Sequence, residues 1–393
     1  MLDFTDQAFI NDPHPAYADL RRTGPIRRVA LPSGQNAWLV TRYEDARRVL
    51  ADPRLSKGLP VTGASAGGQQ ALTAAISRHM LAVDPPDHTR LRRLVSAAFT
   101  VRRIEALRPR IEEIATDLLD AVKGRDEIDL IDAFAFPLPI QVICELLGVP
   151  AEDRDDFREW STVIVTGSMA GSDQFATSMR EMIAYIGRLL ADRRANGGDD
   201  LLAGLIQVRD AEDRLTEQEL SSMVFLLLIA GHETTVNLIG NGAFLLLSER
   251  ERWERLTADR GLLDTSIEEF LRFEGPVETS TFRVASEQLE IGGVTIEAGD
   301  PVIAVLLSAN RDGDRFPDAD DLQLDRPANP HLAFGHGIHY CLGAPLARLE
   351  ARIAFTHLLD RFPGLRLAVP PEELRWRPGT LLRGLWELPV RLS

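Results

Sequence analysis

Within ten residues, Phe334-Gly335-His336-Gly337-Ile338-His339-Tyr340-Cys341-Leu342-Gly343, the chain carries one thiol, two imidazoles and three glycines. Apolar periodicity places a helix over 342–361, so Cys341 stands just before a helix N-terminus. Unpaired N–H groups and the positive end of the helix dipole there lower a thiol's pKa, and a thiolate is a metal ligand. Gly335, Gly337 and Gly343 let the backbone turn tightly beside the sulfur. Pro345 fits the first helical turn, where its missing N–H costs nothing. Two plainer readings use the same residues. One is a buried structural cysteine with a solvent-facing histidine; the other is a zinc site on His336, His339 and Cys341, which lacks a fourth ligand.

A second constellation, Ala230-Gly231-His232-Glu233-Thr234-Thr235, lies in the middle of an apolar run over 216–247. Thr234 follows Ala230 by four residues, so its hydroxyl can bond that carbonyl and loosen the helix. Glycine in mid-helix costs ~1 kcal/mol relative to alanine, so Gly231 needs a reason. The sequence lacks the second histidine of a zinc-protease helix, since position 236 is Val. The bland reading is a kinked core helix with a polar patch.

The elements that must hold these residues are mostly helical. Periodicity gives helices over 15–22, 43–50, 87–99, 101–122, 138–147, 151–164, 175–194, 199–208, 216–247, 262–272 and 342–361. Thr216 and Glu219 form a capping box at the head of the long apolar helix. Short β-type runs at 26–31 and 37–40 flank the turn Pro32-Ser33-Gly34, and others fall at 282–284, 289–291, 294–296 and 302–306. Residues 58–75, rich in Gly, Ser and Ala, read as a long loop. The expected fold class is mostly α with small β regions.

With both constellations on one chain, the pattern Phe-x-x-Gly-x-His-x-Cys-x-Gly resembles the cytochrome P-450 superfamily, with Cys341 as the axial thiolate of haem b. The resemblance spans nearly the whole chain, nearest to soluble bacterial enzymes that hydroxylate macrolides, polyketides or sterol-like molecules. It implies a single triangular domain over 1–393, with haem between the 216–247 and 342–361 helices. It also implies that Phe334 closes the cysteine loop, that His339 reaches a haem propionate, and that Gly231 clears the approach of oxygen and substrate. Glu233 and Thr234 would relay protons. His88 and Arg92, four apart on one helix face, would hold one propionate, and Arg283 the other. Walls of the substrate pocket fall at residues 58–75, Leu226, Ile229, Ala230, Val277, Thr279 and Leu381.

Glu269-x-x-Arg272 matches the superfamily's Glu-x-x-Arg pair, although Glu44/Arg47, Glu105/Arg108, Glu249/Arg252 and Glu372/Arg375 have the same spacing. Position selects Glu269/Arg272: the pair closes the last helix before the β-type runs, and a buried ionic cluster is expected there with Arg326 as third partner. Asp87 reads as an N-cap. Arg90, Arg92, Arg93, Arg102 and Arg103 form a local basic patch that reads either as a docking face for an acidic ferredoxin or as a solvated helix.

Composition bounds the rest. The 393 residues are 45% apolar, and 44 basic against 59 acidic residues give a net charge of −15, which argues against a general nucleic-acid binder. Residues 1–15 carry three aspartates and no long apolar run, so no signal peptide or membrane anchor is expected. Cys144 and Cys341 cannot hold an iron–sulfur cluster beside a haem, and no Gly-x-Gly-x-x-Gly unit follows a strand. Electrons are therefore expected from an external ferredoxin and ferredoxin reductase. The expected protein is a cytoplasmic monomer. A peroxide-driven haem peroxygenase is the alternative, against which Glu233 and Thr234 argue.

Overall fold

The computed structural model describes residues 2–32, 34–58, 76–96, 99–167, 173–198, 200–209 and 215–393. All but the first residue of the loop over 58–75, together with Ser33 of the first turn, lie outside the described residues. Contacts divide the chain into two compact units. One comprises Met1–Ser56, Arg108–Leu138 and Thr234–Ser393; the other comprises Lys57–Leu107 and Pro139–Glu233.

In the first unit the expected hairpin forms between Ile26–Ala30 and Asn36–Val40, with Ile26 opposite Val40. Its second strand runs parallel to Pro301–Ala304, which pairs with Arg283–Ala285 and, beyond it, Leu55–Ser56, giving a five-stranded sheet. One face of this sheet buries Val40, Val49, Ala285, Ile296, Val302 and Phe316. The other buries Tyr17, Val29, Leu39, Ile303 and Val305 against the N-terminal helices. A smaller sheet sets Glu127–Asp129 and Arg366–Leu367 on either side of Pro389–Arg391. The helix Leu263–Phe273 packs on the helix Ala344–Arg361, where the rings of Phe270 and Phe355 meet at 5.3 Å.

The second unit is helical. Arg154–Gly167 lies along Asp173–Asn196, joined by the rings of Trp160 and Tyr185 at 5.7 Å, and Leu201–Arg209 follows. The single helix expected over 101–122 is two, Val101–Ala106 in this unit and Arg108–Ala121 in the first. Pro109 has no N–H for the carbonyl four residues back, so the helix cannot run through it and restarts with Pro109 in its first turn. Asp87 is the first residue of its helix rather than a cap, because the His88 N–H already donates to the Asp84 carbonyl at 2.9 Å.

The helix Glu217–Leu247 is continuous and enters both units. Its capping box is formed: the Glu219 N–H donates to Thr216 Oγ1 at 3.2 Å and the Thr216 N–H to Glu219 Oε2 at 2.8 Å. It is long and apolar enough to cross a membrane, but 72% of its most apolar stretch is buried within the protein.

Candidate active site

The cysteine loop is built by local hydrogen bonds. The Cys341 N–H donates to the Phe334 carbonyl at 2.9 Å, closing the loop, while Gly335 N–H reaches Leu332 O at 2.8 Å and Tyr340 N–H reaches Gly337 O at 3.1 Å. Gly335 and Gly337 both sit at φ +74°, a left-handed backbone that favours glycine. A Cβ on Gly337 would also press to 3.0 Å from the Leu50 carbonyl and 3.1 Å from Ala51 Cα, so the loop lies directly on the end of the Tyr43–Ala51 helix. Gly343 is different. It caps the Ala344–Arg361 helix at φ −79°, open to any residue, and a side chain there would reach 3.8 Å from the Cys341 sulfur.

Cys341 is exposed at the head of that helix, with Pro345 in the first turn. Cys144 is buried, and burial pushes its thiol up to about 12, so it is the inert core residue expected. A lone exposed thiol at a helix head suits a metal that takes one protein thiolate, as haem does. Among the described residues, no three His, Cys, Asp or Glu side chains gather to hold a metal ion, so the zinc alternative has no ligand set there.

On the long helix, Leu226, Ile229, Ala230 and Thr234 keep accessible surface, Ala230 being exposed, while almost every neighbour is buried. Residues 226, 230 and 234 share one face, so a stripe of this buried helix is open. Gly231 does something other than expected. A Cβ there would stand 2.8 Å from Ile143 Cδ1 and 2.9 Å from Cγ1, so the glycine admits the Pro137–Leu146 helix at close range, and Ala230 is the residue on open space. The helix is also unbroken through this region. Glu233 is only 1% exposed. Its neighbour His232 is fully buried, its Nδ1 2.8 Å from the Leu228 carbonyl and its Nε2 3.9 Å from Glu233 Oε1, and its ring meets Phe157 edge-on.

The remaining candidates divide. His88 is buried at 2% exposure, and Arg92 beside it on the helix is partly exposed. Arg283 is buried and donates to the carbonyls of Leu50 at 3.3 Å and Thr281 at 3.4 Å. Val277 is partly exposed and Leu381 exposed, as suits pocket walls. Thr279 does not suit one: it is buried, and its hydroxyl donates to the Thr380 carbonyl at 2.7 Å. In the basic patch Arg93, Arg102 and Arg103 are exposed, but Arg90 is bonded to Glu219.

The ionic cluster is complete. Arg272 donates twice to Glu269, at 2.7 and 2.8 Å, and to the carbonyls of Asn310, Ala319 and Asp321. Arg326, the expected third partner, reaches both Glu269 oxygens at 3.0 and 3.2 Å. A second cluster was not foreseen: Glu268, His331 and Arg348 behind Phe334 and Tyr340. The available signal was Glu268 itself, an acid adjoining Glu269 on a helix whose neighbouring face is buried.

Comparison with known proteins identifies the family. The cytochrome P450 family model matches residues 171–376. The vitamin D(3) 25-hydroxylase of Pseudonocardia autotrophica is 48% identical over all of this chain and 96% of its own. The solved structure of the P450 monooxygenase TamI with tirandamycin C bound has a TM-score of 0.93 at 52% identity, covering 99% of both chains. The Bacillus subtilis 168 bacillaene polyketide synthase cytochrome P450 PksS gives 0.93 at 42% identity, covering both chains fully. The chain belongs to the cytochrome P450 family. It has that fold and is a P450 monooxygenase, a haem-iron oxidoreductase.

Proposed function

We propose that the chain works as one haem domain over 1–393 and inserts an oxygen atom, by hydroxylation or epoxidation, into a bulky hydrophobic small molecule of macrolide, polyketide or sterol-like class. The observation that carries this reading is the open stripe of Leu226, Ala230 and Thr234 on an otherwise buried helix, with the buried Glu233 adjoining Thr234 in the chain. The names of the vitamin D(3) 25-hydroxylase and of the polyketide synthase P450 support the substrate class.

In this reading Cys341 ligates haem b, Phe334 and Gly343 flank the sulfur, and His88, Arg92, Arg283 and His339 donate to the propionates. When bound, the haem supplies the redox chemistry that activates dioxygen. Leu226, Ile229, Ala230, Val277 and Leu381 offer apolar surface that orients the substrate and excludes water. The Thr234 hydroxyl holds one ordered water on the open face, and Glu233, shielded from bulk solvent and facing His232, relays protons to that water. Electrons come from an external ferredoxin and its reductase, with Arg93, Arg102 and Arg103 as the cationic docking face. The protein is a cytoplasmic monomer.

The test is the coupling of electrons to product. Thr234→Ala is expected to keep haem content, substrate affinity and NAD(P)H consumption close to wild type while peroxide replaces product. A fully coupled variant, or one that fails only because substrate no longer binds, refutes the proton-handling role. A spectral-shift screen of polyketide and sterol libraries identifies the substrate, and a screen in which neither class binds removes that class assignment.

A further inference from the structure

The backbone bonds described above fix the cysteine loop from within, yet Tyr340, immediately before the thiol, is exposed, and Phe334, at the loop's other end, is only partly buried. A single side chain holds both. Arg348 leaves the Ala344–Arg361 helix just over one turn from its start. Its guanidinium carbon stands 4.5 Å from the centre of the Phe334 ring, a cation–π contact, and the Tyr340 hydroxyl lies close enough to interact with its charge. The ring of Tyr340 is in turn 6.3 Å from that of Phe334.

Arg348 is itself held. It donates Nε–H to Glu268 Oε1 at 2.6 Å and Nη2–H to Glu268 Oε2 at 2.8 Å, a two-pronged pairing that fixes the plane of the guanidinium. His331 completes the arrangement. Its Nδ1 accepts the Ala333 N–H at 3.2 Å, so the ring proton is on Nε2, which donates to Glu268 Oε2 at 3.0 Å. The hydrogen bonds from Arg348 and His331 outweigh burial and bring the Glu268 carboxyl down to about 2, so it is ionised throughout the working range. Arg348 and Glu268 thus form a pair of opposite charges beside the loop.

Resting on the haem-thiolate reading above, we propose that Arg348, locked by Glu268, is a positioning residue for the axial thiolate: it clasps Phe334 and Tyr340 and so fixes both the direction and the electrostatic surroundings of the Cys341 sulfur. Each half of the pair then has an opposite effect on the electron affinity of the site. Loss of Glu268 leaves a positive charge beside the loop, which favours the reduced, more negative state; loss of Arg348 leaves a negative charge, which opposes it.

The experiment measures the haem reduction potential and the reduced carbon monoxide spectrum of purified haem-loaded wild type, Glu268→Gln, Arg348→Met and Arg348→Lys. The potential is expected to rise in Glu268→Gln and fall in Arg348→Met. Arg348→Lys keeps the charge and the wild-type potential but loses the fork, so its thiolate band is lost sooner on mild heating. A mere structural prop predicts shifts of one sign, or none, in Glu268→Gln and Arg348→Met. Either result, with a normal wild-type spectrum, overturns the Arg348 assignment alone, and if Arg348→Met does not fold, an unmoved or lowered potential in Glu268→Gln does so. A wild-type protein without the thiolate band overturns the haem-thiolate reading together with it.

Discussion

Replacing Glu269 by Gln should damage stability far more than replacing any acid in an exposed pair. Glu269 and Arg272 are fully buried, and Arg326 is 5% exposed. The one carboxylate accepts from Arg272 at 2.7 and 2.8 Å, from Arg326 at 3.0 and 3.2 Å, from the Gln323 N–H at 2.9 Å and from Asn329 Nδ2 at 3.0 Å. Glutamine keeps the shape but removes the only countercharge among these contacts, leaving two buried guanidinium groups supported by carbonyls alone. Breaking a buried ion pair costs ~3–5 kcal/mol, and two cations depend on this one anion, so the upper end applies. Against a total stability of ~5–15 kcal/mol the loss is a large fraction. Asp325 is the control: it meets Arg255 at 2.6 Å with both side chains about half exposed, and Asp325→Asn should cost ~0–1 kcal/mol. Urea unfolding of the haem-loaded proteins, followed by far-UV circular dichroism and haem retention, gives the comparison. Equal losses in the two variants would refute the buried-cluster argument; loss of catalysis in a Glu269→Gln protein of wild-type stability would assign Glu269 a chemical role instead.

Glu278 is buried, and burial, opposed by Arg383 and Tyr17, raises its carboxyl to about 7. The folded protein then retains a proton that the unfolded chain releases near 4.5, so this group makes stability fall as pH rises from 4.5 to 7, by ~3 kcal/mol for the 2.5-unit difference. Glu278→Gln should remove that decline, and identical urea midpoint slopes for variant and wild type between pH 5 and 8 would exclude it. Gly231→Ala gains helix propensity of ~1 kcal/mol but meets Ile143, and overpacking of ~1–3 kcal/mol should win. The same substitution should cost less in an Ile143→Ala background; strict additivity of the two changes counts against the close helix approach. Ferredoxin-supported reduction should slow as salt rises, since exposed pairing is screened over ~8–10 Å, and Arg103→Glu should slow it at low salt. Unchanged stopped-flow reduction rates would remove the basic patch from docking.

The parts of the site that were legible in the sequence are those made by near neighbours. Cys341, its glycines and Pro345 lie within one loop and one helical turn, and the Thr216/Glu219 box closes over three residues. Arg326, 57 residues from Glu269, was found because position had already marked Glu269/Arg272 as buried. Arg348 and Glu268 are 80 residues apart and each looks like an ordinary surface charge, so only the packing of their two helices reveals them. Gly231 reads in the sequence as clearing space for oxygen and substrate, but a side chain there would meet Ile143, a neighbour 88 residues away that the sequence does not reveal. Strands of two or three residues, such as Leu55–Ser56 and Arg366–Leu367, have too little alternation to register. The break at Leu107 was visible in Pro109, which outweighs the apolar periodicity continuing past it.

The most direct test of the central claim is the reduced carbon monoxide spectrum of the purified, haem-loaded protein beside that of Cys341→His. An axial thiolate from Cys341 predicts the red-shifted band from which the family takes its name in the wild type, and a band at shorter wavelength, as for histidine-ligated haem, in the variant. A wild type without the red-shifted band, or a Cys341→His protein that retains it, contradicts the account.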